Sequence, residues 1–436
     1  MQNRLGKVVI GVGVFVAIAL VLALTNGSPT TTTEPESAPT ITTAPPTTTT
    51  TEPRLDIDGS TIPPTSTIDV ASQSREVVAD LVSNMSTTEV ARQLVVTGLT
   101  GDDARRRLSD VVGSSCIGGV FVTESNNNWA IETDVDAART FIRDIRDSAI
   151  LDLCTVPPLA MTDAELGEIV RVPVEAPDGP RTYSDGFADA VQFDVLSDLG
   201  RDVVAYAEAL AALDIDVNFG AVADVDTDPS HFMARSGRTF GADASTVAAM
   251  SQAVVAAHCS AGVAPTLKHF PNQGATPEDP HRERSIAVGG VALWEDTGRL
   301  PYAATTAPIV MTGHIFLDID PDMPASMSAP ITTGLLRDQL GFGGLIVTDD
   351  LSTMRGAIDV VPDAGDRAVA AIRAGATLVL YVDDTDIERV VEAITAEMVA
   401  DADFAAMARA NARHMGVLKA ALGRLPTISE SGIVLC

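Results

Sequence analysis

The chain has 436 residues and carries 59 Asp and Glu against 29 Lys and Arg, which gives a formal net charge of −30. This excess of negative charge disfavours nucleic acid as a partner, because phosphate binding requires clustered cationic side chains. The length exceeds that of an average domain, but it suits one large α/β barrel with an additional non-globular segment.

Residues 1–27 are predicted to form a transmembrane anchor or a signal peptide. Arg4 and Lys7 precede an uncharged apolar run from residue 8 to residue 24. The run is short for a membrane-spanning helix and long for a signal-peptide core, and basic residues before it favour a cytoplasmic amino terminus. We expect an uncleaved anchor that holds the rest of the chain outside the cytoplasmic membrane, with a cleaved signal peptide and secretion as the alternative.

Residues 28–69 are rich in Thr and Pro, as in the Thr47–Thr51 run. Such a segment has too few apolar groups to offset its ordering entropy, so it is predicted to be a disordered linker. Residues 70–425 are predicted to form the folded domain, and residues 426–436 a C-terminal tail.

Within the folded domain, short apolar runs alternate with segments of helical periodicity, of which 244–259 is the clearest. Eight of the apolar runs are predicted to be strands: Leu94–Thr97, Gly119–Thr123, Leu159–Asp163, Asp216–Phe219, Ala264–His269, Ile309–His314, Leu345–Asp349 and Thr377–Val382. Eight buried strands separated by helices indicate a (β/α)8 TIM-like barrel. An open doubly wound sheet is the alternative, but no G-x-G-x-x-G sequence follows an early strand.

Polar residues stand at four of the predicted strand ends: Asp163, Lys268-His269, His314 and Asp349-Asp350. Barrel enzymes carry their catalytic groups at the carboxyl ends of the strands and in the following loops. An acidic residue that ends an apolar strand is costly to bury without a use, so Asp349 is predicted to be a carboxylate nucleophile. Asp350 suits a helix N-cap instead. Lys268 and His269 are predicted to bind sugar hydroxyls or a carbonyl, with an ion pair to a barrel carboxylate as the alternative for Lys268.

The loop after the fifth predicted strand contains Asp279-Pro280-His281. A carboxylate two residues from an imidazole can hold one ring nitrogen and raise the basicity of the other. The pair is therefore predicted to be a general acid/base, although D-x-H alone is a weak motif.

The segment from Lys268 to His281, KHFPNQGATPEDPH, resembles the K-H-F-P-G-H-G-x-T-x-x-D-x-H loop of family 3 glycoside hydrolases of the β-N-acetylglucosaminidase type. Thr348–Met354, TDDLSTM, is similar to the nucleophile motif S-D-D-L-S-M of the same family. Further segments resemble family motifs in the same order: 117–120 (IGGV), 218–224 (NFGAVAD), 238–241 (RTFG) and 335–342 (LLRDQLGF). The resemblance covers roughly residues 77–423.

This resemblance implies a retaining exo-glycoside hydrolase that removes terminal β-linked N-acetylglucosamine through a glycosyl-enzyme intermediate, with Asp349 as nucleophile, His281 as acid/base and Asp279 orienting it. The residues that match sugar-binding positions are Asp163, Arg171, Arg238, Lys268 and His269. With the predicted export, it points to cell-wall peptidoglycan fragments as substrate. The alternatives are a cell-wall-binding protein with a weakened site and a secreted β-glucosidase or β-xylosidase, which the Asp-x-His loop disfavours.

The chain departs from the family pattern at two places. The D-x-E-G-G-R-V motif is matched with Leu166 and Glu168 around Gly167, which we expect to reshape the sugar pocket. Asn272 and Gln273 replace a Gly-His pair, which we expect to change the mobility of the loop that carries His281.

No cofactor or metal is expected, since neither the cysteines nor the histidines follow metal-ligand spacing. In an exported protein the four cysteines can form disulfides, and Cys116 with Cys154 is the first candidate pair. Buried free thiols are an equally weighted alternative.

Overall fold

The computed structural model describes residues 72–99, 116–123, 135–151, 156–185, 187 and 192–425. The predicted anchor or signal peptide, the Thr/Pro-rich linker and the C-terminal tail lie outside these residues, as do Cys154 and Cys436. In the described part of the chain, no helix is long and apolar enough to cross a membrane.

All eight predicted strands are present, with ends that differ from the prediction by at most three residues. They are β1 (Val95–Thr97), β2 (Gly119–Phe121), β3 (Leu159–Thr162), β4 (Val217–Val222), β5 (Ala264–Phe270), β7 (Ile309–Thr312), β9 (Leu345–Asp350) and β10 (Leu378–Tyr381). They form a closed parallel barrel in which β10 pairs with β1. The barrel prediction is confirmed, and the open sheet is wrong. A separate parallel pair joins β6 (Ser285–Ile286) to β8 (Ile315–Phe316).

Helices connect and cover the barrel strands. They are α1 (Ser72–Asn84), α2 (Thr87–Gln93), α3 (Val135–Leu151), α4 (Pro180–Ser184), α5 (Gln192–Ala212), α6 (Phe232–Arg235), α7 (Ala244–Ser260), α8 (Gly290–Leu293), α9 (Arg299–Ala304), α10 (Arg355–Ile358), α11 (Ala364–Ala374), α12 (Ile387–Ala400) and α13 (Ala402–Ala421). Two wider helical segments with π-type hydrogen bonding span Trp294–Gly298 and Pro330–Gln339. The predicted helix at 244–259 is α7. It begins where the Asp243 carboxylate accepts a hydrogen bond of 2.8 Å from the Thr246 amide.

The alternation of side chains along each strand decides which residues face the barrel interior. Leu345 and Val347 belong to the apolar cluster inside the barrel, whereas Ile346 belongs to the cluster between the strands and the helices. Asp349 continues the inward series at the carboxyl end of β9. The same alternation along β3 leads to Asp163, so these two carboxylates face the same end of the barrel.

The last helix closes the opposite end of the barrel. Met415 and Leu418 of α13 belong to the interior cluster. The next residue, Lys419, donates a hydrogen bond of 2.7 Å to the side-chain oxygen of Gln93, at the end of α2 and before β1. This end therefore holds a buried lysine of its own.

Two of the four cysteines lie in the described part of the chain, Cys116 directly before β2 and Cys259 in α7. Both are disulfide-bonded, so the free-thiol alternative is wrong for them. The pair Cys116–Cys154 stays a prediction, because Cys154 lies outside the described residues.

Candidate active site

A cavity of about 450 Å³ opens at the carboxyl ends of the barrel strands. Its base includes four residues of the interior cluster: Phe121, Phe219, Met311 and Leu380. All eight predicted site residues line it: Asp163, Arg171, Arg238, Lys268, His269, Asp279, His281 and Asp349. The barrel thus brings together side chains from the ends of four strands and the loops that follow them, as the strand-end pattern predicts.

Asp349 is poised as an ionised carboxylate within this cavity. Burial by itself raises its pKa, but three imidazoles and a backbone amide outweigh that effect and lower the pKa below its ordinary value. The imidazoles are those of His269, His314 and His281, and the Asp350 amide donates a hydrogen bond of 2.8 Å to Asp349 Oδ1. An unprotonated carboxylate is the form that a nucleophile requires.

Asp279 holds His281 in one orientation. Asp279 Oδ1 lies 2.7 Å from His281 Nδ1 and also accepts a hydrogen bond of 3.0 Å from the His281 amide. Because a carboxylate only accepts, Nδ1 carries its hydrogen, and Nε2 is the ring atom that can exchange a proton with a substrate. The imidazole is 53% exposed, so it faces the open side of the cavity rather than its base.

A cluster of buried ions occupies one wall of the cavity. Lys268 Nζ lies 2.6 Å from Asp163 Oδ1 and 2.6 Å from Glu165 Oε1. Arg238 donates two hydrogen bonds, of 2.9 and 2.7 Å, to the two oxygens of Glu165. Although burial opposes ionisation of Glu165, the two cations lower its pKa, and the carboxylates in turn raise the pKa of Lys268 and Arg238 despite their own burial. Glu165, Lys268 and Arg238 therefore carry full charges at neutral pH.

Glu165 is a member of this cluster that the sequence prediction missed. It is almost fully buried, and it contacts both Lys268 and Arg238, two of the residues predicted to bind the sugar. Its position two residues after Asp163 is a signal in the sequence, but only the fold shows that it faces two cations. Lys268 thus forms ion pairs with barrel carboxylates, which was the alternative prediction for it, and it also lines the cavity.

Asp224, which follows β4, holds the ring of His269 in place. No role was predicted for Asp224 from the sequence. Asp224 Oδ2 lies 2.8 Å from His269 Nδ1, and Asp224 Oδ1 accepts a hydrogen bond of 2.6 Å from the Gln273 amide. Asp224 is fully buried. It therefore fixes both the ring of His269 and the start of the following loop.

His314 contacts the end of β9, the strand that carries Asp349. Its Nε2 lies 2.9 Å from the Asp350 carbonyl oxygen, so Nε2 carries a hydrogen, and its Nδ1 lies 2.7 Å from the Ser326 hydroxyl oxygen. Burial lowers the pKa of His314. Asp350 itself accepts from the amides of Ser352 and Thr353. It stabilises a turn and does not cap α10, whose N-cap is Met354.

The four departures from the family pattern lie outside the cavity lining. Leu166 is buried in the outer apolar cluster and Glu168 is exposed, on either side of Gly167 with its positive φ of 84°. Asn272 and Gln273 are buried, and Asn272 bonds the backbone of Val225 on both sides of its amide group. Neither Leu166 nor Glu168 lines the cavity, and their effect on the shape of the sugar pocket stays a prediction.

Among the described residues, no group of three or more His, Cys, Asp or Glu side chains is arranged to hold a metal ion. The cavity thus combines an ionised carboxylate, Asp349, with an imidazole that can exchange a proton, His281, on a parallel barrel. Such a pair suits the hydrolysis of a glycosidic bond by a nucleophile and a proton donor.

Comparison with known proteins identifies the family. Residues 82–413 match the model of the glycosyl hydrolase family 3 N-terminal domain, which is most of the chain. The protein belongs to this family.

Three relatives illustrate the match. A β-N-acetylglucosaminidase/β-glucosidase of Cellulomonas fimi is 36% identical over 191 residues, which are 40% of this chain and 33% of that enzyme, so the chain spans only a third of that relative's length. A β-hexosaminidase of Aromatoleum aromaticum is 32% identical over 289 residues, 62% of this chain and 79% of the relative. The crystal structure of a β-N-acetylhexosaminidase from Beutenbergia cavernae superposes with a TM-score of 0.67 at 30% identity, covering 78% of this chain and 99% of that structure.

Proposed function

We propose that this protein is a retaining exo-β-N-acetylglucosaminidase that removes terminal N-acetylglucosamine from cell-wall peptidoglycan fragments. One observation carries the proposal: Asp349 and the Asp279–His281 pair line the same cavity. The names of the relatives support the sugar.

The mechanism follows from these two groups. Asp349 attacks the anomeric carbon while His281 Nε2 gives its proton to the glycosidic oxygen, so the bond to the leaving group breaks as the bond to Asp349 forms. Water then attacks the same carbon, His281 takes one of its protons, and Asp349 is released. The two displacements together retain the anomeric configuration.

The ion cluster and its neighbours are proposed to bind the terminal sugar. Asp163, Lys268 and His269 present charged or polar groups to the cavity, and charge-assisted hydrogen bonds to hydroxyls are stronger than neutral ones. Arg171 and Arg238 line the same space.

A second cleft is proposed to receive the leaving group. It lies beside the first cavity and shares Phe232, Ser236 and Asp279 with it. Because the acid/base pair must stand at the bond that breaks, the two clefts on either side of Asp279 suit the two halves of a disaccharide. We expect Arg235→Ala, which changes a residue that lines the second cleft and not the first cavity, to lower kcat/KM for a disaccharide while leaving that for an aryl glycoside unchanged.

The deciding experiment uses the full chain with an aryl β-N-acetylglucosaminide. Asp349→Ala and His281→Ala are each expected to lower kcat at least about 100-fold, since general acid–base catalysis alone contributes roughly 10²–10⁴-fold. Asp198→Ala in α5 and His414→Ala in α13 change exposed residues outside the cavity and serve as matched controls. Proton NMR of the released sugar should show the β-anomer first. Turnover that survives both site substitutions would refute the mechanism.

Two alternatives are tested with the same protein. The name of the Cellulomonas fimi relative includes β-glucosidase, so an aryl β-glucoside is compared directly. A higher kcat/KM for the glucoside than for the N-acetylglucosaminide would favour a β-glucosidase. Failure of the unmodified protein to turn over either glycoside, together with retained binding to peptidoglycan fragments, would favour a wall-binding protein.

We also propose that residues 1–27 anchor the enzyme outside the cytoplasmic membrane. The basic residues before the apolar run support this orientation, and the disulfides at Cys116 and Cys259 suit an oxidising compartment. In expressing cells, the full chain should sediment with membranes and be degraded by externally added protease. Deletion of residues 1–27 should leave it inside the cell, and an unchanged distribution would contradict the anchor.

A further inference from the structure

The loop that carries His281 is joined by its backbone to the segment that follows Asp349. The Gly356 amide donates a hydrogen bond of 3.2 Å to the Pro280 carbonyl oxygen, and the Arg355 amide donates one of 3.4 Å to the His281 carbonyl oxygen. Both amides belong to the first turn of α10, where they have no partner within the helix. The acid/base loop therefore contacts the nucleophile's own chain segment only seven residues beyond Asp349.

The segment between Asp349 and α10 is held firmly in place. The Asp350 carboxylate accepts hydrogen bonds of 2.9 Å from the amides of Ser352, Thr353 and Val382. The Leu351 amide donates one of 2.9 Å to the Leu380 carbonyl oxygen. Asp350 and Leu351 are thus bonded to the end of β10 and to the residue that follows it, which holds the chain directly before α10 in place.

Gly356 allows this contact because it lacks a side chain. A Cβ atom at this position would lie 2.9 Å from the His314 carbonyl oxygen, 3.0 Å from His314 Cβ and 3.5 Å from the Pro280 carbonyl oxygen. The first two distances are too short, and His314 cannot retreat easily because its ring is bonded to Asp350 and Ser326. Any larger residue must therefore move α10 away from His314 and away from the loop.

We propose that Gly356 is a positioning residue that sets the distance of His281 from Asp349 through this backbone contact. The inference rests on the proposed function, since it assigns His281 the proton transfer to the leaving group. Gly356 does not line the cavity; it acts through the backbone contacts to the carbonyl groups of Pro280 and His281.

The proposal predicts a loss that depends on the leaving group. A phenyl glycoside needs proton donation when its bond breaks, whereas a dinitrophenyl glycoside leaves without it. A displaced His281 should therefore slow the first reaction and spare the second, provided that Asp349 and the sugar-binding residues remain in place. The quantity to compare is kcat/KM, which reports the step that forms the glycosyl-enzyme.

The test compares Gly356→Ala in the full chain with the unmodified protein on the phenyl and dinitrophenyl β-N-acetylglucosaminides. The ratio of kcat/KM for phenyl to that for dinitrophenyl should fall about tenfold or more, within the range that general acid catalysis contributes. Gly200→Ala is the matched control, because that glycine of α5 has open space around it and should leave the ratio unchanged. An equal loss on both substrates, or no loss in a folded variant, would overturn the proposal.

Hydrogen exchange of the unmodified protein keeps the proposal testable if Gly356→Ala does not fold. The amides of Arg355 and Gly356 should exchange more slowly than those of exposed loops, and fast exchange would overturn the contact. If the unmodified protein hydrolyses neither glycoside, the proposed function fails. If it hydrolyses both but the ratio does not respond to Gly356→Ala, only the positioning role fails.

Discussion

Two buried lysines stand at opposite ends of the same barrel, and their pKa values move in opposite directions. Lys268, at the cavity, lies 2.6 Å from each of two carboxylates, and its pKa is raised although burial acts against its charge. Lys419, at the closed end, bonds the neutral side chain of Gln93, and burial lowers its pKa to about 7.

The contrast shows that neighbouring charges, and not burial alone, decide whether a buried cation persists. A buried carboxylate is also present near Lys419, but Asp216 is already paired with Arg146 and Arg424. The attraction of Asp216 raises the pKa of Lys419, but by less than burial lowers it. The open end thus keeps a permanent charge in the wall of the cavity, and the closed end holds an amine that ionises near neutral pH.

The largest effect should follow loss of the carboxylate that two cations share. Glu165→Gln leaves Arg238 without its carboxylate and Lys268 with only Asp163. We expect kcat/KM on an aryl β-N-acetylglucosaminide to fall about 100-fold or more and the free energy of unfolding to fall by roughly 3–5 kcal/mol, the usual loss when one partner of a buried pair is removed. Kinetics and denaturant unfolding measure both, and unchanged values would show that Glu165 neither orders nor neutralises the cations.

A smaller loss should follow removal of one cation. Lys268→Met deletes the amine at the cavity but leaves Glu165 paired with Arg238. Loss of one charged hydrogen bond to the substrate is worth about 1.5–3 kcal/mol, so kcat/KM should fall roughly 10- to 150-fold. The same assay measures it, and full activity would place the substrate away from the ion cluster.

Much of this cavity could be predicted from the sequence, because inward-facing positions repeat at every second residue of a strand. Asp349 and Asp163 follow apolar residues of the same parity, and the Lys268–His281 loop carries its own recognisable spacing. Glu165 and Asp224 could not be assigned, because their partners come from other loops that only the fold brings near. The direction of the Leu166 and Glu168 side chains depends on the turn at Gly167, which the sequence does not specify.

At the closed end, the same Lys→Met substitution should leave activity unchanged and affect stability in a pH-dependent way. The folded-state pKa of Lys419 is about 7, below its ordinary value, so between about pH 7 and 10 the unfolded chain binds more protons and the stability of the unmodified protein rises with pH. Lys419→Met lacks this gain. The free energy of unfolding of Lys419→Met minus that of the unmodified protein should therefore be highest near pH 7 and fall towards pH 10.

Denaturant unfolding at several pH values between about 7 and 10 measures this difference. Leu418→Met is the matched control, because it changes a neighbouring buried residue of α13 without removing a titratable group and should show no pH-dependent difference. A flat difference for Lys419→Met would mean that the amine stays charged in the folded protein. The closed end would then resemble the open end.

The smallest effect is expected at Glu168, although its place in the family pattern suggests a large one. Glu168 occupies the position at which the family motif D-x-E-G-G-R-V has Arg, yet its side chain is exposed and does not line the cavity. Glu168→Arg should therefore change kcat/KM less than about threefold, since a substitution on the surface away from such features usually alters free energies by no more than about 0.5 kcal/mol. Leu166→Ala, on the buried side of the same turn, should lower the free energy of unfolding by roughly 2–5 kcal/mol. A large kinetic change for Glu168→Arg would show that the turn at Gly167 closes over the sugar during catalysis. The turn would then belong to the active site, although it does not line the cavity in this structure.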